Sequence, residues 1–364
     1  MIIQIQPWID ELELSELKKV VDSTFVTEHD LTEEFEAMTR ELTGSKHALA
    51  VCNGTMALFC CLKALNIGPG DEVIVPNMTF IATANAVILA GAKPIFCEIR
   101  EDTFCIDTGR AEELVNENTR AIIPVHLYGQ SADMDEVISF ARKHDLKVIE
   151  DAAQGVGVRF NGRHTGTFGE MGILSYYGNK TITTGEGGMI LTDDDALARI
   201  CYRLKNHGRD AKGIFIHEHI GFNFSFTEMQ AAVGIAQMKK LSAIIQKKKE
   251  IYQRYMDELS GLERFRPVHI DERCEPVFWF TSFLSDDTDE LAKFLLENGI
   301  QTRRFFYPLH LQPCYKEIDG LAPLRSYEVS ERIYNQGISL PSSYLLQESE
   351  QDLVIEKIKE FYRV

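Results

Sequence analysis

Between residues 48 and 151, short apolar runs alternate with helix-length segments, and this alternation narrows the possible folds more than any other feature of the chain. Ala48–Val51, Glu72–Val75, Pro94–Glu98, Arg120–Val125 and Lys147–Ile149 read as strands. Met56–Leu65, Phe80–Ala90, a helix beginning at Ala111–Val115, and Met134–His144 read as the segments between them. Strands separated by helices of this length cannot form hairpins; they predict crossover units and a mainly parallel sheet covered on both faces.

Beyond residue 155 the rhythm changes. Val156–Phe160, Met171–Tyr177 and Gly188–Thr192 are short apolar pieces, expected as further strands of the same sheet. Ala196–Leu204 is helical. A long helix is predicted from Thr227 to about Leu259, with Ala231, Ala232, Ile235, Met238, Leu241 and Ile245 on one apolar face. Arg264–Glu275 reads as loop, Val277–Leu284 as strand, and Leu291–Asn298 and Gln351–Tyr362 as helices. At 364 residues the chain is long enough for two domains. The expected division is a large α/β domain over 1–245 and a small α+β domain over 246–364.

A net charge of −17 disfavours nucleic acid as a partner. The one dense basic run, Lys239-Lys240 and Lys247-Lys248-Lys249, reads as a solvated helix face. No apolar segment approaches the roughly 20 residues a membrane span needs. The N-terminus has no basic or long apolar region, so the expectation is a cytoplasmic protein. The eight cysteines form no C-x-x-C pair and are read as reduced core residues. His217-Glu218-His219 is not read as a metal site, and no metal is expected.

Three motifs carry chemistry. Asn53-Gly54-Thr55 stands between a strand and a helix, where free N–H groups and the helix dipole favour an anion; the same residues also make an ordinary cap. Val148-Ile149-Glu150-Asp151-Ala152-Ala153-Gln154 puts an acid at the carboxyl end of a strand, the edge where open α/β sheets bind ligands. Such a carboxylate suits a protonated ring nitrogen, as in pyridoxal phosphate, or caps a helix. In the third, an apolar strand ends at Ser175, Lys180 follows, and Gly185, Gly187 and Gly188 turn the chain into the next strand. A lysine at such a bend, with no other charge before Glu186, is a candidate Schiff-base nucleophile.

Together with Gly68-Pro69-Gly70-Asp71-Glu72, Pro124-Val125-His126-Leu127-Tyr128-Gly129-Gln130, Gly221-Phe222-Asn223-Phe224, Tyr307-Pro308-Leu309-His310 and Leu340-Pro341-Ser342, these motifs resemble fold-type-I pyridoxal-phosphate enzymes. More narrowly, nearly the whole chain resembles the DegT/DnrJ/EryC1/StrS family of sugar aminotransferases. The resemblance implies a seven-stranded, mainly parallel sheet in the large domain. It implies that Lys180 holds the cofactor as a Schiff base and carries the proton between cofactor and substrate. It also implies that Asp151 pairs with the ring nitrogen, Phe80 stacks on the ring, and Gln154 reaches the ring hydroxyl. Gly54, Thr55 and Ser175 would hold the phosphate. Asn223 would serve the phosphate site of a partner subunit, in a homodimer with shared active sites. Tyr307 and His310 would lie near the sugar nucleotide.

The implied reaction takes the amino group of L-glutamate, releasing 2-oxoglutarate, and gives it to a nucleotide-linked 4-keto-6-deoxy sugar, with GDP-4-keto-6-deoxymannose the first expectation. Other carbonyls are open: a UDP- or dTDP-linked keto-sugar or a small phosphorylated ketone. So is a non-catalytic binding or regulatory role on the same fold. The presence of lysine rather than histidine at 180 argues against the dehydratases that resemble this family. Two departures stand out: residues 25–36 contain no glycine, and Ser225 stands where many relatives carry arginine.

Overall fold

The computed structural model describes residues 1–363 apart from 212, 214, 317 and 319–325. Its centre is a seven-stranded sheet: β1 His47–Val51, β2 Glu72–Pro76, β3 Lys93–Cys97, β4 Thr119–Ile122, β5 Lys147–Asp151, β6 Met171–Ser175 and β7 Gly188–Thr192. The spatial order is β1-β7-β6-β5-β4-β2-β3. β7 is antiparallel to both neighbours, and every other pairing is parallel. Four of the five residues in β2 and all of those in β6 and β7 are buried, as strands covered on both faces must be.

Pairing of β7 fixes the geometry of one sheet edge. Gly188 opposes both Val51, the last residue of β1, and Ser175, the last of β6. A Cβ on Gly188 would lie 2.5 Å from the Asn53 carbonyl carbon, so only glycine lets β7 begin this close to the turn after β1.

Three local expectations are corrected. The segment 156–160 does not join the large sheet; Arg159–Phe160 pairs with Arg163–His164 and Cys274–Glu275 in a separate three-stranded sheet. That second partner also places a strand inside the predicted 264–275 loop, as does Phe265–Pro267. No helix begins at Ala111: a four-residue helix, Thr108–Ala111, capped by Asp107, gives way to a 3-10 turn, and Val115 is already extended.

The long helix, α1 here, spans Glu228–Leu259, with a capping box between Thr227 and Gln230. It runs unbroken past residues 245 and 246 and leads into a four-stranded antiparallel sheet, β8 Phe265–Pro267, β9 Thr281–Ser285, β10 Arg303–Arg304 and β11 Gly337–Leu340, ordered β8-β9-β11-β10. The other end of the chain packs here too, since Ile2 bridges Ile300.

The basic run is not simply a solvated face. Lys240 and Lys248 fall on the apolar stripe of α1 with Ile244 and Ile251, and both are buried. Lys240 pairs with Asp10 and Glu13, each at 2.7 Å, and lies over the Trp8 ring. Lys248 donates instead to the carbonyls of Trp279 (3.1 Å) and Ser342 (3.0 Å). The cysteines divide as well: six are buried, Cys52 is half-buried and Cys314 is exposed.

Burial pushes the Lys248 amine down to about 7, from the usual 10.5. Between those values the unfolded chain binds a proton that the folded chain does not, so stability rises with pH across that window. Below about pH 7 both states are protonated and the slope vanishes. The difference in unfolding free energy between wild type and Lys248→Met should therefore climb from pH 7 to 9, by at most about 1.4 kcal/mol per unit. Urea titrations at three pH values measure it, and a flat difference would mean the amine does not titrate there.

Candidate active site

The parallel strands deliver their carboxyl ends to one side of the sheet, and a cavity of about 740 Å³ opens there. Gly54, Thr55, Phe80, Asp151, Gln154, Ser175 and Lys180 all line it, although they come from four separate stretches of sequence.

One wall is the head of the helix spanning Gly54–Ala64. Asn53 is extended, and its side chain accepts from the Met56 N–H at 2.9 Å while its carbonyl accepts from Ala57 at 3.1 Å. The N–H groups of Gly54 and Thr55 come too early in the helix for an intrahelical partner. Both residues line the cavity, as does Ser175. A Cβ on Gly54 would sit 3.2 Å from Ser175 Cβ, so its absence keeps this cradle open. A phosphate group fits these donors.

Opposite stands Asp151, at the end of β5 and nearly fully buried. One carboxylate oxygen accepts from Thr83 Oγ1 at 2.7 Å, the other from the Ala153 N–H at 3.1 Å. No helix follows Asp151, so it caps none; the bond to Ala153 closes a turn, and with the Thr83 bond it holds the carboxylate at the cavity wall. Its neighbour Glu150 projects from the other face of the strand. There it accepts from His126 Nε2 (3.0 Å) and from the N–H groups of Gly166 (2.7 Å), Phe168 and Gly169 (2.8 Å). Strand alternation therefore divides two adjacent acids between a structural task and the site.

Lys180 ends a turn closed by its own N–H to the Tyr177 carbonyl at 2.9 Å. Burial lowers its amine to about 8; Asp151 acts upward on it and Arg303 downward. At pH 7.5 a substantial fraction is thus uncharged, where an ordinary lysine would have about one in a thousand. Gln154 uses its carbonyl oxygen on the Tyr128 N–H at 2.6 Å, which leaves its amide N–H groups to face the cavity. Phe80 presents a half-bare ring, 5.9 Å from that of Phe306.

Three expected site residues do not line this cavity. Asn223 is exposed, and its side-chain oxygen accepts from the Ser225 N–H at 3.3 Å. Tyr307 is 40% exposed and packs edge-on against Tyr334. His310 is buried, its imidazole lying between Asn77 (2.9 Å) and Glu331 (3.2 Å). Conversely, the walls include Thr79, Glu186, Trp279, Arg303 and Phe306, to which no role was assigned from sequence. The aromatic triplet Phe278-Trp279-Phe280 was the available signal for Trp279. Nothing local marks Thr83 as the partner of Asp151.

A buried carboxylate, a lysine of lowered basicity and an anion cradle around one cavity define a pyridoxal-phosphate enzyme, and comparison with known proteins agrees. Residues 7–359 match the DegT/DnrJ/EryC1/StrS aminotransferase family, to which the chain belongs. It is 38% identical to the GDP-perosamine synthase of Caulobacter vibrioides, over 96% of this chain and 95% of that one. It is also 38% identical to a pleiotropic regulatory protein of Geobacillus stearothermophilus, over 95% and 93%. The crystal structure of S. venezuelae DesV superposes with a TM-score of 0.93 at 33% identity, covering 100% of both chains. The protein is a pyridoxal-phosphate-dependent aminotransferase with the fold-type-I architecture.

Thr83→Val removes the hydroxyl that orients Asp151 while keeping the shape of the side chain. A hydrogen bond to a charged group contributes about 1.5–3 kcal/mol, so kcat should fall roughly tenfold or more with cofactor content unchanged. Stopped-flow transamination and an absorbance spectrum measure both; an unchanged kcat would reduce Thr83 to a helix-start residue.

Proposed function

We propose that this protein moves the amino group of L-glutamate onto the C4 carbonyl of a nucleotide-linked 4-keto-6-deoxy sugar, with GDP-4-keto-6-deoxymannose as the acceptor and GDP-perosamine as the product. The observation that carries the transamination is Lys180 and Asp151 lining one cavity with an open helix N-terminus. The choice of sugar is supported by the similarity to proteins named GDP-perosamine synthase. The setting it implies is cytoplasmic supply of polysaccharide or O-antigen precursors. Among the described residues no helix is long and apolar enough to cross a membrane.

When bound, pyridoxal phosphate supplies the electron sink for moving an amine between carbon skeletons. The chain's own residues do the rest. Gly54 and Thr55, with the Ser175 hydroxyl, bind the phosphate. Asp151 holds a proton at the ring nitrogen. Lys180 gives and takes protons at its amine, which its lowered basicity suits to neutral pH. Arg303, at the cavity wall, offers positive charge to substrates that both carry anionic groups.

The test is to load the protein with glutamate, remove 2-oxoglutarate, and offer GDP-, UDP- and dTDP-linked keto-sugars, following the products by mass spectrometry. Lys180→Ala should fold and bind cofactor noncovalently but lose turnover. Asp151→Asn should lose several orders of magnitude, mainly in kcat. Wild-type-like turnover in Lys180→Ala would remove the assignment, as would a loss below about tenfold in Asp151→Asn.

The proposal includes a homodimer in which Asn223 completes the partner's site. In support, Asn223 lies outside its own chain's cavity, and Phe215, Ile216 and Ile220 nearby are each at least 79% exposed, an apolar face for a second copy to cover. Lys180→Ala and Asn223→Asp would then damage opposite halves of one site. A mixed dimer would hold one doubly damaged site and one intact site. Mixing the two variants under subunit exchange should recover up to about a quarter of wild-type activity, by isologous pairing statistics. No recovery despite proven heterodimers would place Asn223 elsewhere.

A further inference from the structure

Trp279 reaches the lysine segment from the C-terminal part of the chain and makes two contacts there, one with Asn179 and one with Lys180. Its indole N–H donates to the carbonyl of Asn179, the residue before Lys180, at 2.6 Å. Its ring face lies 4.1 Å from Lys180 Nζ. The ring itself is 2% exposed, held as firmly as a core residue although it forms part of the cavity wall.

The backbone that presents it is over-determined. Phe278, just before it, has φ +54, which a bulky L-residue adopts only when its surroundings compel it. The Phe278 ring is stacked at 3.8 Å on Tyr252 of α1. Lys248, from the same helix, donates to the Trp279 carbonyl. Gly129 leaves room for this backbone, since a Cβ there would stand 2.5 Å from the Trp279 nitrogen.

We infer that Trp279 is a positioning residue for Lys180, its ring face receiving the lysine ammonium whenever the lysine is not joined to the cofactor. This rests on the reading of Lys180 given above. Transamination releases the lysine amine in one half-reaction and takes it back only in the other, so the amine is free between them. A cation over an indole face is stabilised electrostatically even where water is scarce. The indole N–H meanwhile fixes the backbone from which the lysine swings. The other charged or titratable groups lining the cavity with Lys180 are Asp151, Glu186, Tyr177 and Arg303. All of them stay in place in the variants below.

The experiment compares wild type, Trp279→Phe and Trp279→Leu as cofactor-free full-length chains. The rate of covalent pyridoxal-phosphate uptake is followed by absorbance across pH. Uptake needs the uncharged amine, so its pH midpoint reports the basicity of Lys180. Both variants lose the N–H, but phenylalanine keeps a weaker ring face. The expected order of midpoints is wild type, then Trp279→Phe, then Trp279→Leu. The last should lie about 0.5 to 1.5 pH units below wild type. A Trp279→Leu midpoint equal to wild type overturns the inference. So do equal displacements of the two variants, which a merely structural role would produce. Lys180→Ala, run alongside with borohydride trapping, separates the two readings: if it is labelled like wild type, the assignment of Lys180 itself has failed.

Discussion

Strand direction makes Val51, Pro76, Asp151 and Ser175 finish at the same edge of the sheet, β2, β5 and β6 through parallel pairings and β1 because β7 is antiparallel to both β1 and β6, and the site depends on this before it depends on any side chain. Each strand end is followed by backbone that has left the ladder and needs other partners. The turn after β1 supplies a helix head with free N–H groups, β5 supplies a carboxylate, and β6 supplies a hydroxyl. The antiparallel β7 closes the group from one side because Gly188 can lie against Asn53, where any side chain would collide. The cavity is therefore a consequence of topology, and its chemistry is a choice of residues at four strand ends.

Among the described residues Lys205, Lys240 and Lys248 are buried and Lys180 is partly so, and the partners of these four lysines differ with their tasks. Lys240 sits among Asp10 and Glu13, and Lys205 beside Glu28 at 3.0 Å. Lys180 and Lys248 have no such close carboxylate among the described residues, and both amines are pushed down by burial. Lys248 is the anchor of the Trp279 backbone and Lys180 lies under the Trp279 ring. A buried amine bonded only to carbonyls and ring faces gives up its proton more readily than one in an ion pair. That suits a lysine whose amine must be free to react.

Legibility in the sequence followed range. The strands of the large sheet and the residues at their ends were readable because crossover units have local signatures: apolar runs, glycine turns, an acid where a strand stops. The three-stranded sheet was not, because Cys274–Glu275 joins Arg159–Phe160 across more than a hundred residues. The burial of Lys248 was hidden for a similar reason. A lysine on a helix reads as solvated until its stripe is seen to face the carbonyls of Trp279 and Ser342. The partners of the His310 ring, Asn77 and Glu331, were likewise hidden, because neither is its neighbour in sequence. Family resemblance singled out Lys180, Asp151, Gly54, Thr55 and Ser175, which the structure brings to one cavity, but it could not show that Thr83 bonds the carboxylate.

The two departures from the family pattern, far apart in sequence, meet in space. The helix Asp30–Thr43 begins without a side-chain cap of its own. The carboxylate of Glu228 caps it instead, accepting from the N–H groups of His29, Leu31 and Thr32 at 2.8–2.9 Å and from the Thr32 hydroxyl at 2.7 Å. Thr27 bridges Thr227, and the Glu228 N–H returns a bond to the Val26 carbonyl at 3.2 Å. A long-range cap of this kind fixes the path of residues 26–32 by hydrogen bonds, so a glycine is not needed to turn the chain there. The same bonds tie that segment to the start of the long helix, three residues after Ser225. A change of path in residues 26–32 is therefore felt at the N-cap of the long helix, Thr227, two residues beyond Ser225 and four beyond Asn223.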